Sequence, residues 1–479
     1  MTTTDETEPQ SSSTLLRRAP LIVFLLFLVT VAVVFVRPIG DPDTWWHLRL
    51  GGDLARTWAL SDPPRWTRFA TQPWVATQWL PEIVAARWTG WLGLPGLVWL
   101  VCATVLVLAV TLYVVCRREA GRLPATLATI LGFGGMAATL TPRPQLVSFV
   151  LLVVTVGAWL QTSRTLRTPW WLVPMSWVWA CCHGLWFTGP AVGLVVVAGL
   201  FLDGRARGRK ALTLLAIPVL SVLVAAMTPV GPRLIVAPFA VGGITQYITE
   251  WQTPSFRELG PALTAAMITA VMVLAARRPG RASWVSIGLV VLASAWTLLS
   301  VRTVTLGAAI ATPLLAGAID QALPQRALPS RGVLRGEKLT LAATTTACLV
   351  IVAIIAAALP SLRVPANVPA TLNTALDAFP AHTVIWNDFS LGGWLDYGHP
   401  NVEVVADGRA EAFGATQLEK YGLVARTEPG WDEIIHAVGA HVALVAADSP
   451  LAAALQQRLG WRPVGEDNGY VLLTDGTLG

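Results

Sequence analysis

A long succession of apolar runs constrains the fold of this chain more than any other feature of its sequence. A helix that crosses a bilayer needs about 20 apolar residues, within a range of about 17 to 25. Only 13% of the 479 residues are charged, whereas a soluble domain has about 25%. We therefore predict an α-helical polytopic membrane protein with eleven transmembrane helices. The expected spans are 19–36, 94–115, 123–141, 145–160, 169–183, 186–202, 211–229, 261–276, 283–301, 304–320 and 339–360.

Basic residues are concentrated in short loops that these spans would place on one side of the membrane. Because short cytoplasmic loops are enriched in Lys and Arg, the pattern puts the N-terminus in the cytoplasm and the C-terminus outside. The pI near 9.4 thus reflects topology and not a nucleic-acid-binding surface. If 169–202 were one broken segment, the basic loop 205–210 would lie on the outer side of the membrane. We therefore predict two short helices there. The basic clusters are 17–18, 117–118, 164–167, 205–210, 277–281 and 326–338.

This topology divides the chain into three parts, which we expect to lie in or on the inner (cell) membrane of a bacterium. Residues 1–18 form a disordered cytoplasmic tail, and residues 19–360 form the transmembrane domain. Two outer loops, 37–93 and 230–260, are long. The first is rich in tryptophan, which prefers the membrane interface, and its segments 44–58 and 78–91 have the apolar spacing of helices that lie flat on the surface.

Residues 361–479 are predicted to form a small extracytoplasmic α/β domain, here called the tail domain. Four short apolar segments read as strands and alternate with helical segments. With 14 acidic and six basic residues, this domain also lacks a nucleic-acid signature. Its motifs NDFSLGGW and VADGR contain Gly392–Gly393 and Asp407–Arg409. An Asp-Gly-Arg at the end of a strand can bind a ligand, but it is most often a turn. The five cysteines lie in or beside apolar segments, so we expect no disulfide framework.

The stretch GDPDTWWHLRLGG, at residues 40–52, follows the first span directly and carries two aspartates. Asp43 or Thr44 could cap a surface helix, with Pro42 setting the turn. Alternatively, Asp41 and Asp43 are catalytic, since they lie where a lipid head group and a water-borne acceptor can meet. His47 would share a helix face with Asp43. We favour a hydrogen bond from His47 that orients the acid, and a divalent metal such as Mg²⁺ or Mn²⁺ on Asp41, Asp43 and His47 stays open.

Three isolated arginines stand at outer ends of spans, namely Arg143, Arg233 and Arg302, and Arg257 lies in the second outer loop. Each alone could be a snorkelling anchor. Together they fit a phosphate site, because guanidinium groups bind phosphate in a bidentate manner. Other polar residues at the outer side are His183 in a tight turn, Glu250 in the second loop, and Glu82, which reads as a face residue of a surface helix.

The order of the motifs resembles the GT-C superfamily of membrane glycosyltransferases. These proteins share many spans, a long first outer loop with two surface helices, and an acidic motif after the first span. Asp41-Pro42 is similar to the Asp-Pro of oligosaccharyltransferase catalytic subunits, and the whole chain resembles a bacterial group of GT-C-like membrane proteins. The motifs that carry this resemblance are DPDTWWHLRLG, WVATQWLPE, TPRPQL, CCHGLW, and NDFSLGGWLDYG followed by ADGRAE.

The resemblance implies an inverting transfer of one sugar from a polyprenyl-phosphate donor to a glycan, glycolipid or protein acceptor at the outer face. The superfamily's catalytic acid maps to Asp41 or Asp43, and we favour Asp43 as the base, with Asp41 as helper. A second-loop acid maps to Glu250, while Arg143, Arg233, Arg302, His47 and His183 would bind substrate. The alternative is a non-catalytic GT-C-like scaffold, or a protein that binds or transports a lipid-linked glycan during cell-envelope assembly.

Overall fold

A computed structural model describes residues 10–277, 280, 282–323 and 332–477. The residues 1–9, Arg278, Arg281 and 324–331 of the expected cytoplasmic segments lie outside these ranges. The helices of the first 360 residues are α1 (Gln10–Phe35), α2 (Pro42–Thr57), α3 (Trp79–Glu119), α4 (Arg122–Met136), α5 (Gln145–Thr165), α6 (Leu172–Cys182), α7 (Thr188–Leu202), α8 (Gly208–Ala225), α9 (Arg233–Ala240), α10 (Leu259–Ala276), α11 (Trp284–Leu299), α12 (Val301–Ala322) and α13 (Arg335–Ala358).

Each expected span coincides with one of these helices, so the chain is a multi-pass membrane protein. Among the described residues, eight helices are long and apolar enough to cross a membrane, and α6 and α11 are shorter apolar helices. The surface helix expected at 78–91 and the span expected at 94–115 both belong to α3. Its axis kinks at Gly93, where φ is +67°, a backbone conformation that glycine adopts without steric cost.

Loops from successive helix pairs meet at one end of the bundle, and the tail domain sits at that same end. The turns before α2, α5, α7 and α10 contribute Asp41, Arg143, His183 and Glu250, and the first turn of α12 contributes Arg302. The side chains of these residues contact one another in pairs. The helix ends and loops at the other end hold the described basic clusters. Successive helix connections therefore lie at alternate ends of the bundle, as the charge pattern predicts.

Arg117, expected in an exposed loop, is instead buried at this other end. Its Nε lies 2.9 Å from Oε1 of Glu337 at the start of α13, and neither side chain is exposed. The hydroxyl of Tyr113 donates to the same carboxylate at 2.7 Å. These contacts join α3 to α13. Arg117 therefore stabilises the packing of two helices, besides adding to the positive charge at this end of the bundle.

The tail domain is a five-stranded mixed sheet covered by helices. The strand order is β2-β1-β3-β5-β4, with β1, β2 and β3 parallel and the last two strands antiparallel. The strands are β1 (Thr383–Asn387), β2 (Val402–Val404), β3 (Val442–Ala446), β4 (Arg462–Asp467) and β5 (Tyr470–Thr474). The helices are α14 (Asn373–Asp377), α15 (Gly392–Gly398), α16 (Ala410–Ala425), α17 (Trp431–Val438) and α18 (Pro450–Leu459).

Strand β4 was not among the four expected strands. It is joined to β5 by Asn468-Gly469, and both residues have positive φ, +49° and +80°. Asn-Gly is the usual pair for a two-residue hairpin turn, so the signal was present in the sequence. One continuous hydrophobic cluster runs from the transmembrane helices through α2 to residues such as Leu395 in α15. The tail domain is therefore packed onto the end of the bundle where α2 lies.

Candidate active site

The site is built around the first turn of α2, whose start is fixed by Asp41. Asp41 is the N-cap residue: its Oδ1 accepts a hydrogen bond from the backbone N–H of Asp43 at 3.0 Å, and Pro42 follows in the first turn. The expectation that Asp43 or Thr44 caps this helix is therefore wrong. Thr44 Oγ1 donates to the carbonyl of Pro142 at 3.1 Å. Because Asp41 caps the helix, the carboxylate of Asp43 is available for other contacts.

Three carboxylates from two outer loops converge on the guanidinium group of Arg143. Its Nε lies 2.9 Å from each oxygen of Asp41. Its Nη1 lies 2.8 Å from Oδ2 of Asp43 and 2.5 Å from Oε1 of Glu250. The three acids carry the pKa of Arg143 above its ordinary value, against the opposing effect of burial. A permanent cation thus holds the acids together although they repel one another.

Asp43 has a carboxyl group whose pKa is shifted by its surroundings. Burial raises its pKa to about 6, an effect that Arg143 opposes and the charge of Asp41 strengthens. Trp46 Nε1 also donates to Oδ1 of Asp43, at 3.1 Å. A carboxylate with a pKa near neutrality can accept a proton and later release it, which is the property of a general base.

Glu250 links this group to a second arginine. Arg302 Nη1 lies 3.6 Å from Oε2 of Glu250, and its Nη2 lies 3.3 Å from Nε2 of His183. His183 is buried, and its Nδ1 accepts a hydrogen bond from the backbone N–H of Leu185 at 3.1 Å. The expected grouping of Arg143, Arg302, His183 and Glu250 is thus present around one centre.

Two of the expected arginines lie apart from this centre. Arg233 is exposed, and its Nη1 donates to the carbonyl of Ser61 in the first outer loop at 3.2 Å. Arg257 is likewise exposed on the second outer loop. The expectation that Arg233 shares a site with Arg143 and Arg302 has no contact in the structure to support it.

His47 does not orient Asp43 as expected. Its Nδ1 lies 2.7 Å from Oε1 of Glu82 on α3, and both side chains are almost fully buried. Glu82 is therefore not a surface residue, because the close approach of α2 to α3 encloses it. The interaction was missed since 35 residues separate the partners. His47 supports the site by fixing α2, because its Nδ1 is engaged by Glu82 of α3.

A divalent metal does not fit the residues as they are arranged. Carboxylate oxygens suit Mg²⁺ or Mn²⁺, but the guanidinium of Arg143 occupies the point at which Asp41, Asp43 and Glu250 converge. His47 is engaged by Glu82. Within the described ranges, no three His, Cys, Asp or Glu side chains are arranged to hold one metal ion.

A cavity of about 330 Å³ adjoins the opposite side of Asp41. Its wall exposes polar and apolar atoms in similar proportion, and the exposed Arg37 and Asn367 are among its polar residues. The cavity lies between the outer ends of α1 and α3 and the turn before α5. The lining residues are Phe35, Arg37, Pro38, Ile39, Gly40, Asp41, Pro42, Val98, Val101, Leu140, Thr141, Pro142 and Asn367.

The two tail motifs that read as turns both reach α2. Gly393 packs against the carbonyl of Pro42, and Gly408 packs against the carboxylate of Asp43. Arg409 is buried and makes a bidentate pair with Asp407. No periodicity in the sequence links these motifs to the first outer loop, so their place at the site comes from the tertiary structure.

Comparison with known proteins gives matches in structure but not in sequence. No family model matches the chain, and no curated protein sequence matches it. Its structure resembles the apo oligosaccharyltransferase of Archaeoglobus fulgidus, with a TM-score of 0.57, 11% identity, and coverage of 92% of this chain and 70% of that one.

The archaeal oligosaccharyltransferase AglB from Archaeoglobus fulgidus, in complex with an inhibitory peptide and a dolichol-phosphate, is also similar. Its TM-score is 0.57 at 12% identity, and the match covers 89% of this chain and 69% of that one. A complex of the Archaeoglobus fulgidus oligosaccharyltransferase with Zn and sulfate has a TM-score of 0.51 at 12% identity, covering 89% and 68%.

Proposed function

We propose that this chain, whose fold is that of the GT-C membrane glycosyltransferases, transfers a sugar from a polyprenyl-phosphate donor at the outer face of a membrane. The observation that carries the proposal is the convergence of Asp41, Asp43 and Glu250 on Arg143 at the end of the bundle where the tail domain sits. Acids and cations gathered at one interface suit a reaction that moves a proton and releases a phosphate.

The donor is inferred from the arginines and from the structural neighbours. AglB was solved with a dolichol-phosphate, which supports a polyprenyl phosphate as the ligand class. Arg143 and Arg302 flank Glu250 and can turn to a phosphate group, since guanidinium groups bind phosphate oxygens in a bidentate manner. The cavity beside Asp41, whose wall includes Phe35, Val98 and Leu140, offers room for the first part of the lipid chain.

Asp43 is the proposed base in a single displacement. An acceptor hydroxyl attacks the anomeric carbon, and the bond between that carbon and the phosphate oxygen breaks with inversion. Asp43 takes the hydroxyl proton, and the polyprenyl phosphate leaves with the electron pair. Arg143 and Arg302 would stabilise the charge that grows on the phosphate, in surroundings less polar than water. The acceptor is a glycan, a glycolipid or a protein of the cell envelope.

A non-catalytic scaffold that binds a lipid-linked glycan is the second candidate. It is favoured by the structural role of Asp41, which caps α2 and pairs with Arg143. Such a scaffold would need the shape of the site and not the base. A substitution that preserves shape therefore separates the two candidates.

Asp43→Asn is that substitution, because it keeps the size of the side chain and removes the base. Cells lacking this protein would be compared with cells that regain the wild-type chain, Asp43→Asn or the exposed control Asp62→Asn. The readout is the envelope glycan whose amount falls on deletion. We expect the control to restore it and Asp43→Asn to leave it at the deletion level.

Membrane levels of each variant must match for this comparison. Restoration of the glycan by Asp43→Asn, and by the double variant Asp41→Asn/Asp43→Asn, would establish the scaffold and reject the sugar-transfer mechanism.

A further inference from the structure

The tail domain touches the proposed base directly, through a residue without a side chain. A Cβ atom on Gly408 would lie 1.9 Å from Oδ1 of Asp43 and 2.7 Å from Nε1 of Trp46. A Cβ atom on Gly393 would lie 2.8 Å from the carbonyl oxygen of Pro42. Neither glycine has a positive φ, so it is the lack of space, and not the backbone conformation, that excludes a side chain.

The turn that carries Gly408 is held firmly on both sides. Arg409 Nη2 lies 2.5 Å from Oδ2 of Asp407, and its guanidinium stacks on the ring of Trp66 at 3.8 Å. Trp66 belongs to the first outer loop, so the arginine joins that loop to the tail domain. Before the turn, the side chain of Asn387 accepts from the N–H of Val405 at 2.9 Å and donates to the carbonyl of Ala406 at 2.8 Å.

A second contact between α2 and the tail domain reinforces this position. Arg49 of α2 donates to the backbone carbonyl of Asp396 in α15. Its guanidinium also stacks, at 4.4 Å, on the ring of Trp66, the same ring that Arg409 contacts. Two guanidinium groups thus share one indole. The motifs NDFSLGGW and VADGR, which have no role in the chemistry itself, converge on the first turn of α2.

We propose that the turn Asp407–Arg409 is a positioning element that holds the Asp43 carboxylate in its working orientation and closes it from water on the tail-domain side. Oδ1 is confined between Gly408 and the indole N–H of Trp46, so the carboxylate cannot rotate. Oδ2 then stays directed toward Arg143, where a substrate phosphate would be drawn. The charged groups facing Asp43 are Arg143, Asp41 and Glu250, and all of them lie outside the tail domain.

This inference rests on the proposed role of Asp43 as a base, but it can be tested without a substrate. The full-length chain in detergent micelles would be treated at one neutral pH with a water-soluble carbodiimide and glycine ethyl ester, which modify accessible carboxyl groups. Mass spectrometry would give the labelling of Asp43 relative to Asp62, whose side chain is 89% exposed. The variants compared are Gly408→Ala and Gly398→Ala, since a Cβ atom at Gly398 meets no atom within 4 Å.

We expect Gly408→Ala to raise the labelling ratio of Asp43 about fivefold or more, because crowding a packed site shifts the population toward an opened turn. Gly398→Ala should leave the ratio as in the wild type, and Asp396, which lies outside the turn, should stay protected in both variants. If Gly408→Ala does not accumulate, Asp407→Asn loosens the same turn without added volume. Asp396, 3.7 Å from Arg409, remains as its partner.

An unchanged Asp43 ratio in the folded variants would overturn the positioning role. A raised ratio together with loss of the envelope glycan in cells would support it, provided that Gly398→Ala restores the glycan. If the ratio rises but the wild-type chain and Asp43→Asn restore the glycan equally, the proposed sugar transfer fails while the positioning of Asp43 by the tail domain stands. The two failures are therefore distinguishable.

Discussion

At the scale of single residues, Asp41 and Asp43 are close in sequence, but their carboxylates accept hydrogen bonds from different donors. Asp41 accepts a backbone hydrogen bond as the cap of α2, so its charge is satisfied by the fold itself. Asp43, two positions later, receives its donors from Trp46 and Arg143. Because burial raises the pKa of Asp43 to about 6, its ionised form is held at a cost in stability.

That cost predicts a gain in stability for Asp43→Asn that depends on pH. An unfolded aspartate has a pKa of about 3.9, and the folded value is about 6. The folded state therefore loses about 3 kcal/mol from this group above pH 6, and the loss disappears below pH 4. We expect Asp43→Asn to raise the Tm in detergent clearly at pH 7.5 and much less at pH 4.5.

Asp41→Ala serves as the contrasting variant in the same measurement. It removes an N-cap, so it should lower stability by about 1 kcal/mol at neutral pH. A lower Tm for Asp43→Asn at both pH values would mean that Asp43 is mainly a structural partner of Arg143.

Arg143 leads to a prediction on the pH dependence of sugar transfer. Its positive charge lowers the pKa of Asp43 against the stronger effect of burial. Arg143→Gln should therefore move that pKa above about 6, so the acid side of the pH profile should shift to higher pH as transfer falls. The profile would be measured as polyprenyl phosphate released by membranes. Arg233→Gln is the control, because the side chain of Arg233 is exposed and donates to the carbonyl of Ser61. A profile that does not shift would show that another group titrates.

At the scale of elements, the site depends on how closely α2 approaches α3. A Cβ atom on Gly51 would lie 2.0 Å from the backbone carbonyl oxygen of Glu82. That carbonyl belongs to helix backbone and cannot move aside as a side chain can. The same approach buries the pair of His47 and Glu82, which fixes the helix that carries Asp43.

The neighbouring glycines of α2 predict opposite effects of one substitution. Gly51→Ala should destabilise the protein by at least about 1 to 3 kcal/mol, because it forces the helices apart. Gly52→Ala meets no atom within 4 Å, and it should stabilise by about 0.5 to 1 kcal/mol, as alanine does in place of a helical glycine. Thermal unfolding of the two variants in the same detergent checks both signs. Equal effects would contradict the observed crossing of α2 and α3.

At the scale of the whole molecule, the charge pattern and the fold agree on which ends of the helices share a side. The proposed site and the tail domain lie at one end, and the exposed arginines of the loop between α7 and α8 lie at the other. The cysteines, which number five, are all buried, so thiol reagents should react little with the unmodified chain.

This arrangement allows the orientation to be measured with single exposed cysteines. Asp62→Cys in the first outer loop should react with a membrane-impermeant maleimide in intact cells, because that loop is proposed to face outward. Arg209→Cys, in the first turn of α8, should react only after the cells are permeabilised, as the positive-inside rule requires. Labelling of Arg209→Cys in intact cells would reverse the proposed topology.

The sequence by itself determined the membrane class, the positions of the spans and the acidic turn after the first span. It could do so because bilayer thickness imposes a length of apolar chain, and because turns and charges obey local rules. Asp41, Asp43, Arg143, Glu250 and Arg302 could be singled out in this way, as polar residues at the outer ends of apolar runs.

Only the tertiary structure decided which of these residues meet and what encloses them. His47 pairs with Glu82 and not with Asp43, Arg233 lies apart, and Gly408 closes over Asp43 although 365 positions of chain separate them. Such contacts depend on how helices and domains pack at distances of a few ångströms, and no local pattern encodes that packing. GDPDTWWHLRLGG thus marks the place of the site, and the fold supplies its partners.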